Sequence, residues 1–387
     1  MISYGKQSID QDDISAVVEV LQGDWLTQGP AVKNFEHDLN IYFGADYSCV
    51  VSNGTAALHL AGLALGWKKG DIVITSPLTF LATANSIIYV DATPDFVDID
   101  PLTYTIDVTA LEEKVKTYIS RGQKVQAVIG VDYAGHPCNW KKLRELADYY
   151  NFQLVNDNCH ALGAAYHGDR TYAVKYADVV IQSYHPVKHI TTGEGGAILT
   201  NNPEIDERVK RLRTHGITKD SSQLIVPDGP WYYEMHELGY NFRLSDIQCA
   251  LGISQLRKLD TFLKKRRAIS EVYTRAFSKM ERLITPQMLT NTFHAYHLYP
   301  LQIDFDSYGI DKQNYYLKLQ NDGISLQVHY IPVHTQPYYM NKFGFKVGDY
   351  PIAEQFYRNE LSLPIYATLS SGEQDKVIDK IKKHLDG

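Results

Sequence analysis

The chain has 387 residues, 44% hydrophobic and 21% charged, a balance that suits a globular protein with one large domain and a smaller one. A net charge of −7 argues against a nucleic-acid-binding surface, and no uninterrupted apolar run reaches the length of a membrane span. Cys49, Cys138, Cys159 and Cys249 are scattered without C-x-x-C pairing, and Met1 to Lys6 lacks the apolar core of a signal peptide, so free thiols, a cytoplasmic location and no metal site are expected.

Asp10 to Leu21 reads as an amphipathic helix with Ile14, Val17, Val18 and Leu21 on one stripe. Val32 to Phe43 is a second helix, ending at Gly44. A strand–helix alternation then begins. Tyr47 to Val51 is a strand, Ser52-Asn53-Gly54-Thr55 a turn, and Ala56 to Leu65 a helix. Ile72 to Thr75 is a strand followed by a helix through Tyr89, and Asp95 to Ile99 one followed by a helix over Val108 to Ser120. Val125 to Val131 leads to a helix over Lys141 to Tyr150. Phe152 to Asp157, Val179 to Ser183 and Ala197 to Thr200 complete the strands.

Apolar strands alternating with helices predict an α/β fold, a mostly parallel sheet sandwiched by helices. Ligands of such sheets sit at the carboxyl ends of the strands. Pro203 to Leu212 is helical, and Thr218 to Glu234 is irregular around Pro227-Asp228-Gly229-Pro230. A long helical region runs from Ser245 to about Lys279 with a break near Asp260. Past residue 285 the pattern changes to a strand (Tyr299 to Ile303), a helix (Lys312 to Gln320), a strand (Leu326 to Tyr330) and two helices. That predicts a large domain over residues 1–250 and a smaller C-terminal α+β domain over 251–387.

The segment Ser183 to Gly196 places Lys188 in a polar turn between two apolar strands, with Thr191-Thr192-Gly193-Glu194-Gly195-Gly196 after it. Taken alone, Lys188 reads as a solvated turn lysine. Asp157, at an earlier strand end, changes that reading. A strand-end lysine and carboxylate are the pair that pyridoxal phosphate chemistry needs: one to carry the aldehyde, one to keep the ring nitrogen protonated. Gly54 and Thr55, at a helix N-terminus, form a phosphate cradle or else an ordinary cap by Asn53 or Thr55. Phe80 is a ring-stacking aromatic or a core or loop residue. His160 contacts the ring, orients Asp157 or is a satisfied core histidine. Ser183 binds phosphate or is a buried, backbone-bonded serine. These five features fall in one workable order.

Lys188 with Thr191 to Gly196, Asp157 to Ala164, and Gly239-Tyr240-Asn241-Phe242-Arg243-Leu244 resemble the DegT-type sugar aminotransferases over nearly the whole chain. Those are fold type I pyridoxal phosphate enzymes acting on nucleotide-linked keto sugars. His185 to Lys188, Thr214 to Asp220, Pro230 to Glu234 and Val328 to Tyr339 resemble the 4-aminotransferases of the pseudaminic acid pathway. Ser52-Asn53-Gly54-Thr55 departs from that subgroup's Asn-Ser-Ala-Thr but keeps the threonine. The resemblance implies pyridoxal 5′-phosphate as cofactor, L-glutamate as amino donor and a UDP-linked 4-keto-6-deoxy sugar as acceptor. It makes Lys188 the Schiff-base lysine and Asp157 the ring-nitrogen partner. It puts Phe80 and His160 at the ring, and Gly54, Thr55 and Ser183 on the phosphate. Asn241 would reach the phosphate of the other subunit, so a homodimer with shared sites is implied. His329 and Tyr330 match a substrate-side strand. A lysine at 188 argues against a dehydratase of the same fold, whose relatives carry histidine there. Intact Lys188 and Asp157 argue against a regulatory binding protein without catalysis.

Overall fold

The computed structural model describes residues 1–226 and 228–385. Pro227 of the expected irregular segment lies outside the described residues, as do 386 and 387 at the end of the expected C-terminal domain. One sheet is built from β1 (Tyr47–Val51), β2 (Ile72–Thr75), β3 (Thr93–Phe96), β4 (Val125–Val131), β5 (Gln153–Asp157), β6 (Val179–Ser183) and β7 (Gly196–Thr200). Its spatial order is β1-β7-β6-β5-β4-β2-β3. Among the described residues β7 runs antiparallel to both neighbours and the remaining pairings are parallel.

The strands are apolar on both faces, so alternate residues enter different cores. Val180 and Leu199 pack with Phe35, Leu39 and Leu143 on one side. Val179, Ile181 and Ile198 pack with Leu60, Ile87 and Val209 on the other. The helices of this part of the chain are α1 (Gln11–Gln22), α2 (Pro30–Phe43), α3 (Gly54–Ala64), α4 (Leu81–Tyr89), α5 (Val108–Ser120), α6 (Trp140–Tyr150), α7 (Tyr172–Tyr176) and α8 (Pro203–Arg213), with α9 (Asp246–Arg257) and α10 (Leu259–Phe277) following; those named core residues come from α2, α3, α4, α6 and α8. Their ends carry the expected local chemistry. Pro30 opens α2 and Gly44 closes it in the left-handed region. Ser245 and Gln248 form a capping box on α9.

Between α8 and α9 a short hairpin pairs β8 (Ile217–Thr218) with β9 (Glu234–Met235). The chain then forms a three-stranded antiparallel sheet of β10 (Leu283–Ile284), β11 (Tyr299–Ile303) and β12 (Glu360–Leu363). Its core joins Leu301, Leu361 and Tyr315 to Tyr273 and Phe277 of α10 and to Ile2. Along α10, apolar packing passes from the first core at Leu263 to this one at Ile269. No helix among the described residues is long and apolar enough to cross a membrane.

Three expectations are corrected. The stripe on α1 does not face the core: Ile14, Val18 and Leu21 are 48%, 41% and 54% exposed. The buried side chain is Asp13, which accepts from Ser254 and Gln255 and pairs with Lys258, so α1 docks on α9 through polar contacts. Leu326 to Tyr330 is no strand beyond a single bridge from Gln327 to Ser362, because the His329 N–H turns to the Glu360 side chain instead of a backbone carbonyl. α3 begins at Gly54, two residues early, because Asn53 caps it by accepting from Ala56 N–H at 2.8 Å.

Candidate active site

A cavity of about 1180 Å³ opens at the carboxyl ends of the large sheet and is lined also by the 327–331 segment. Gly54 and Thr55 reach it from the β1–α3 turn, Phe80 from the end of the β2–α4 loop, Asp157 and His160 from the end of β5, and Ser183 and Lys188 from the end of β6. His329 and Tyr330 line it from the segment before the Pro332 turn, with the Tyr330 hydroxyl against His160. Nine of the ten residues singled out from sequence therefore share one site. Asn241 does not line it; it is exposed and bridges to Thr214 beside the β8–β9 hairpin.

The turn carrying Lys188 is held by its own threonines. Thr191 Oγ1 donates to the Tyr184 carbonyl at 3.0 Å, Thr192 N–H does the same at 3.0 Å, and Gly193 N–H donates to Thr191 Oγ1. Lys188 is half-buried. Burial lowers its pKa, against the pull of Cys159 and Asp157, so more of the amine is present as free base.

Asp157 is 6% exposed. Thr83 Oγ1 donates to its Oδ2 at 2.6 Å, and Thr79 and Thr83 hydroxyls lie 2.8 Å apart. No motif signals these partners; the one trace is two threonines four apart across a helix start. His160 is held neutral, far below the usual imidazole range, by burial and then by the Lys188 charge. Ala134 N–H donates to its Nδ1 at 3.3 Å. A backbone N–H only donates, so the ring proton belongs on Nε2, which meets the Tyr330 hydroxyl at 3.1 Å. His160 is thus both a cavity residue and a fully satisfied one. Tyr330 accepts that proton's bond and keeps its own hydrogen to donate.

Phe80 is 56% exposed and its ring centroid lies 6.0 Å from that of Tyr330, so it is a cavity-edge aromatic and not a core one. At the α3 terminus Asn53 occupies Ala56 N–H, and the Gly54 and Thr55 N–H groups with the Thr55 hydroxyl form the free end of the helix dipole. A Cβ on Gly54 would lie 2.9 Å from Ser183 Cβ, so the glycine lets the α3 terminus and the Ser183 side chain come together. This cradle, the cavity-facing amine of Lys188 and the buried carboxylate of Asp157 fit pyridoxal phosphate: an anion, an aldehyde and a ring nitrogen each meet complementary chemistry.

The fold and this site define the class, a fold type I transferase whose relatives use pyridoxal phosphate. The chain belongs to the DegT/DnrJ/EryC1/StrS aminotransferase family, which it matches over residues 7–382, and it is a sugar aminotransferase of that family. It is 38% identical over 391 residues to the UDP-4-amino-4,6-dideoxy-N-acetyl-beta-L-altrosamine transaminase of Campylobacter jejuni, covering 99% of each chain. Helicobacter pylori PseC, an aminotransferase involved in the biosynthesis of pseudoaminic acid, superposes with a TM-score of 0.90 at 30% identity, over 100% of this chain and 99% of that one. The PLP form of the sugar aminotransferase Spr1654 from Streptococcus pneumoniae gives 0.88 at 28% identity, over 100% and 98%. Aminotransferases of this family depend on pyridoxal 5′-phosphate.

Proposed function

We propose that the protein moves the amino group of L-glutamate to C4 of UDP-2-acetamido-2,6-dideoxy-β-L-arabino-hexos-4-ulose, an amination on the route to pseudaminic acid. The carrying observation is the convergence of Lys188, Asp157 and the α3 N-terminus on a cavity large enough for a nucleotide-linked sugar. The likeness to the Campylobacter jejuni and Helicobacter pylori enzymes supports the choice of acceptor.

In this reading Gly54, Thr55 and Ser183 hold the cofactor phosphate, Phe80 covers the ring, and Asp157 meets the ring nitrogen. Bound pyridoxal phosphate supplies an aldehyde to carry the amine and a ring to accept electrons. Lys188 would take the proton from the carbon next to the donor nitrogen and deliver it to the cofactor carbon that bore the aldehyde oxygen, acting as base and then acid. Thr83 and the Cys159 N–H hold Asp157 as an acceptor at both oxygens. His160 orients Tyr330, whose remaining hydrogen is offered to the acceptor's oxygen.

The same proposal takes 1–250 as the cofactor-binding unit and 251–387 as the smaller one. It takes the protein as a cytoplasmic homodimer in which Asn241 serves the partner's phosphate. The outward apolar face of α1, continued by Trp25 at 59% exposure, supports a partner copy. Four free cysteines suit a reducing compartment. Sedimentation of the purified protein reads the dimer, and a monomer would remove the shared site.

The central test is an absorption spectrum. The purified protein should show a yellow band that bleaches with L-glutamate and returns with the UDP-4-keto-6-deoxy sugar. Bleaching without return overturns the acceptor. No band after cofactor is supplied overturns the role of Lys188.

A further inference from the structure

His329 is held at nearly every polar atom. Its N–H donates to Glu360 Oε2 at 2.9 Å, its carbonyl accepts from the Tyr133 hydroxyl, and its Nδ1 lies 2.8 Å from Ser362 Oγ. Ser362 Oγ donates onward to Glu360 Oε1. Glu360 and Ser362 are both 0% exposed, whereas His329 lines the cavity. The two sit at alternate positions of β12, so their side chains leave one face of the strand while Leu361 and Leu363 enter the apolar core from the other. A buried carboxylate and hydroxyl in a short strand are costly unless satisfied; here each is satisfied by the other and by His329.

Counting protons gives the direction of this chain. A serine hydroxyl has one hydrogen, and with Glu360 ionised it goes to the carboxylate. Ser362 Oγ therefore accepts from His329, which puts the ring proton on Nδ1 and leaves Nε2 with a lone pair. Burial and then the Lys188 charge push the ring pKa down to about 3, so the imidazole stays neutral. Burial raises the Glu360 carboxyl to about 7, the Ser362 hydroxyl, the His329 N–H and the Lys312 charge offsetting only part of that rise, so the carboxylate that takes the serine hydrogen is the form present above that pH, where both readouts below are made.

We propose that Glu360 and Ser362 are positioning residues that lock His329 in its Nδ1–H form, so that Nε2 accepts a hydrogen bond from a hydroxyl of the keto sugar. This rests on the acceptor class proposed above. The carboxylates of the amino donor carry no hydrogen at neutral pH, and its one hydrogen-bearing group, the amine, is committed to the cofactor aldehyde, so a lone pair gives the donor nothing to bind. A sugar hydroxyl has the needed hydrogen. The pair Glu360–Ser362 thus serves the sugar half-reaction and not the glutamate half.

The test follows the two half-reactions separately, by rapid-mixing absorbance on the holoenzyme and on Ser362→Ala, Ser362→Thr and Glu360→Gln. Loss of one held hydrogen bond should slow the sugar half about tenfold in Ser362→Ala, with the glutamate half close to wild type and Ser362→Thr largely restored. Equal slowing of both halves, or none, overturns the proposal. A second readout needs no substrate. Nitrogen-15 spectra of histidine-labelled protein, assigned with His329→Gln, should show His329 protonated on Nδ1 in the wild type and displaced from that form in Ser362→Ala. A wild-type ring protonated on Nε2 overturns the proposal whatever the acceptor is. A wild type with the Nδ1–H ring that reacts with glutamate but not with the UDP-4-keto sugar overturns the acceptor assignment alone.

Discussion

Thr83 is 1% exposed and gives its hydrogen to Asp157. Replacing it with valine keeps the volume and removes the donor, leaving a buried carboxylate oxygen short of a partner. Thr83→Val should lower stability by about 1–3 kcal/mol and weaken cofactor retention, read by thermal melting and by cofactor titration. Unchanged affinity would mean that Thr83 only packs. Lys188 and Asp157 are legible in the sequence because each follows an apolar strand, and strand ends of such sheets gather at one edge. Thr83 is not legible there: it lies 74 residues from its partner, and a buried threonine in a helix reads as core.

At the level of elements, the cradle depends on three backbones meeting. A Cβ on Gly196 would lie 2.6 Å from the Asn53 carbonyl carbon and oxygen and 2.8 Å from the Gln182 carbonyl oxygen. These are backbone atoms with little room to give. Gly196→Ala should therefore cost at least ~1–3 kcal/mol by overpacking and push β7 from the β1–α3 turn. The measurable outcome is a lower melting temperature together with weaker cofactor binding; wild-type values for both would contradict the packing argument. Two misread elements share a cause. The apolar stripe of α1 has helical period but faces outward, because Asp13 commits the other side to Ser254, Gln255 and Lys258. Leu326 to Tyr330 has strand composition, but Glu360 takes the N–H that a ladder would have used. In both, a distant polar partner overrides the local pattern.

Across the molecule, burial is the first cause holding His160, His189, His294, His297 and His329 below their ordinary pKa. Once unfolded, these rings bind protons near pH ~6.5. Below that pH the unfolded chain takes up protons that the folded chain refuses, so stability falls as pH falls. Each fully refused proton contributes a slope of ~1.4 kcal/mol per pH unit. Melting temperature should drop steadily from about pH 7 toward about pH 5.5, through the window set by the unfolded histidines; a flat profile there would sink this prediction.

The alternation of strand and helix, the limits of β1, β2, β4 and β6, and the strand-end placement of Asp157 and Lys188 were decided by the sequence alone. Period and propensity are local, and both faces of these strands are apolar. Tertiary structure decided which way α1 faces, that Asn241 stands outside the cavity of its own chain, and that Thr83, Tyr133, Glu360 and Ser362 support the site. Those outcomes depend on hydrogen bonds between residues far apart in sequence, and no local pattern encodes which buried donor will meet which acceptor.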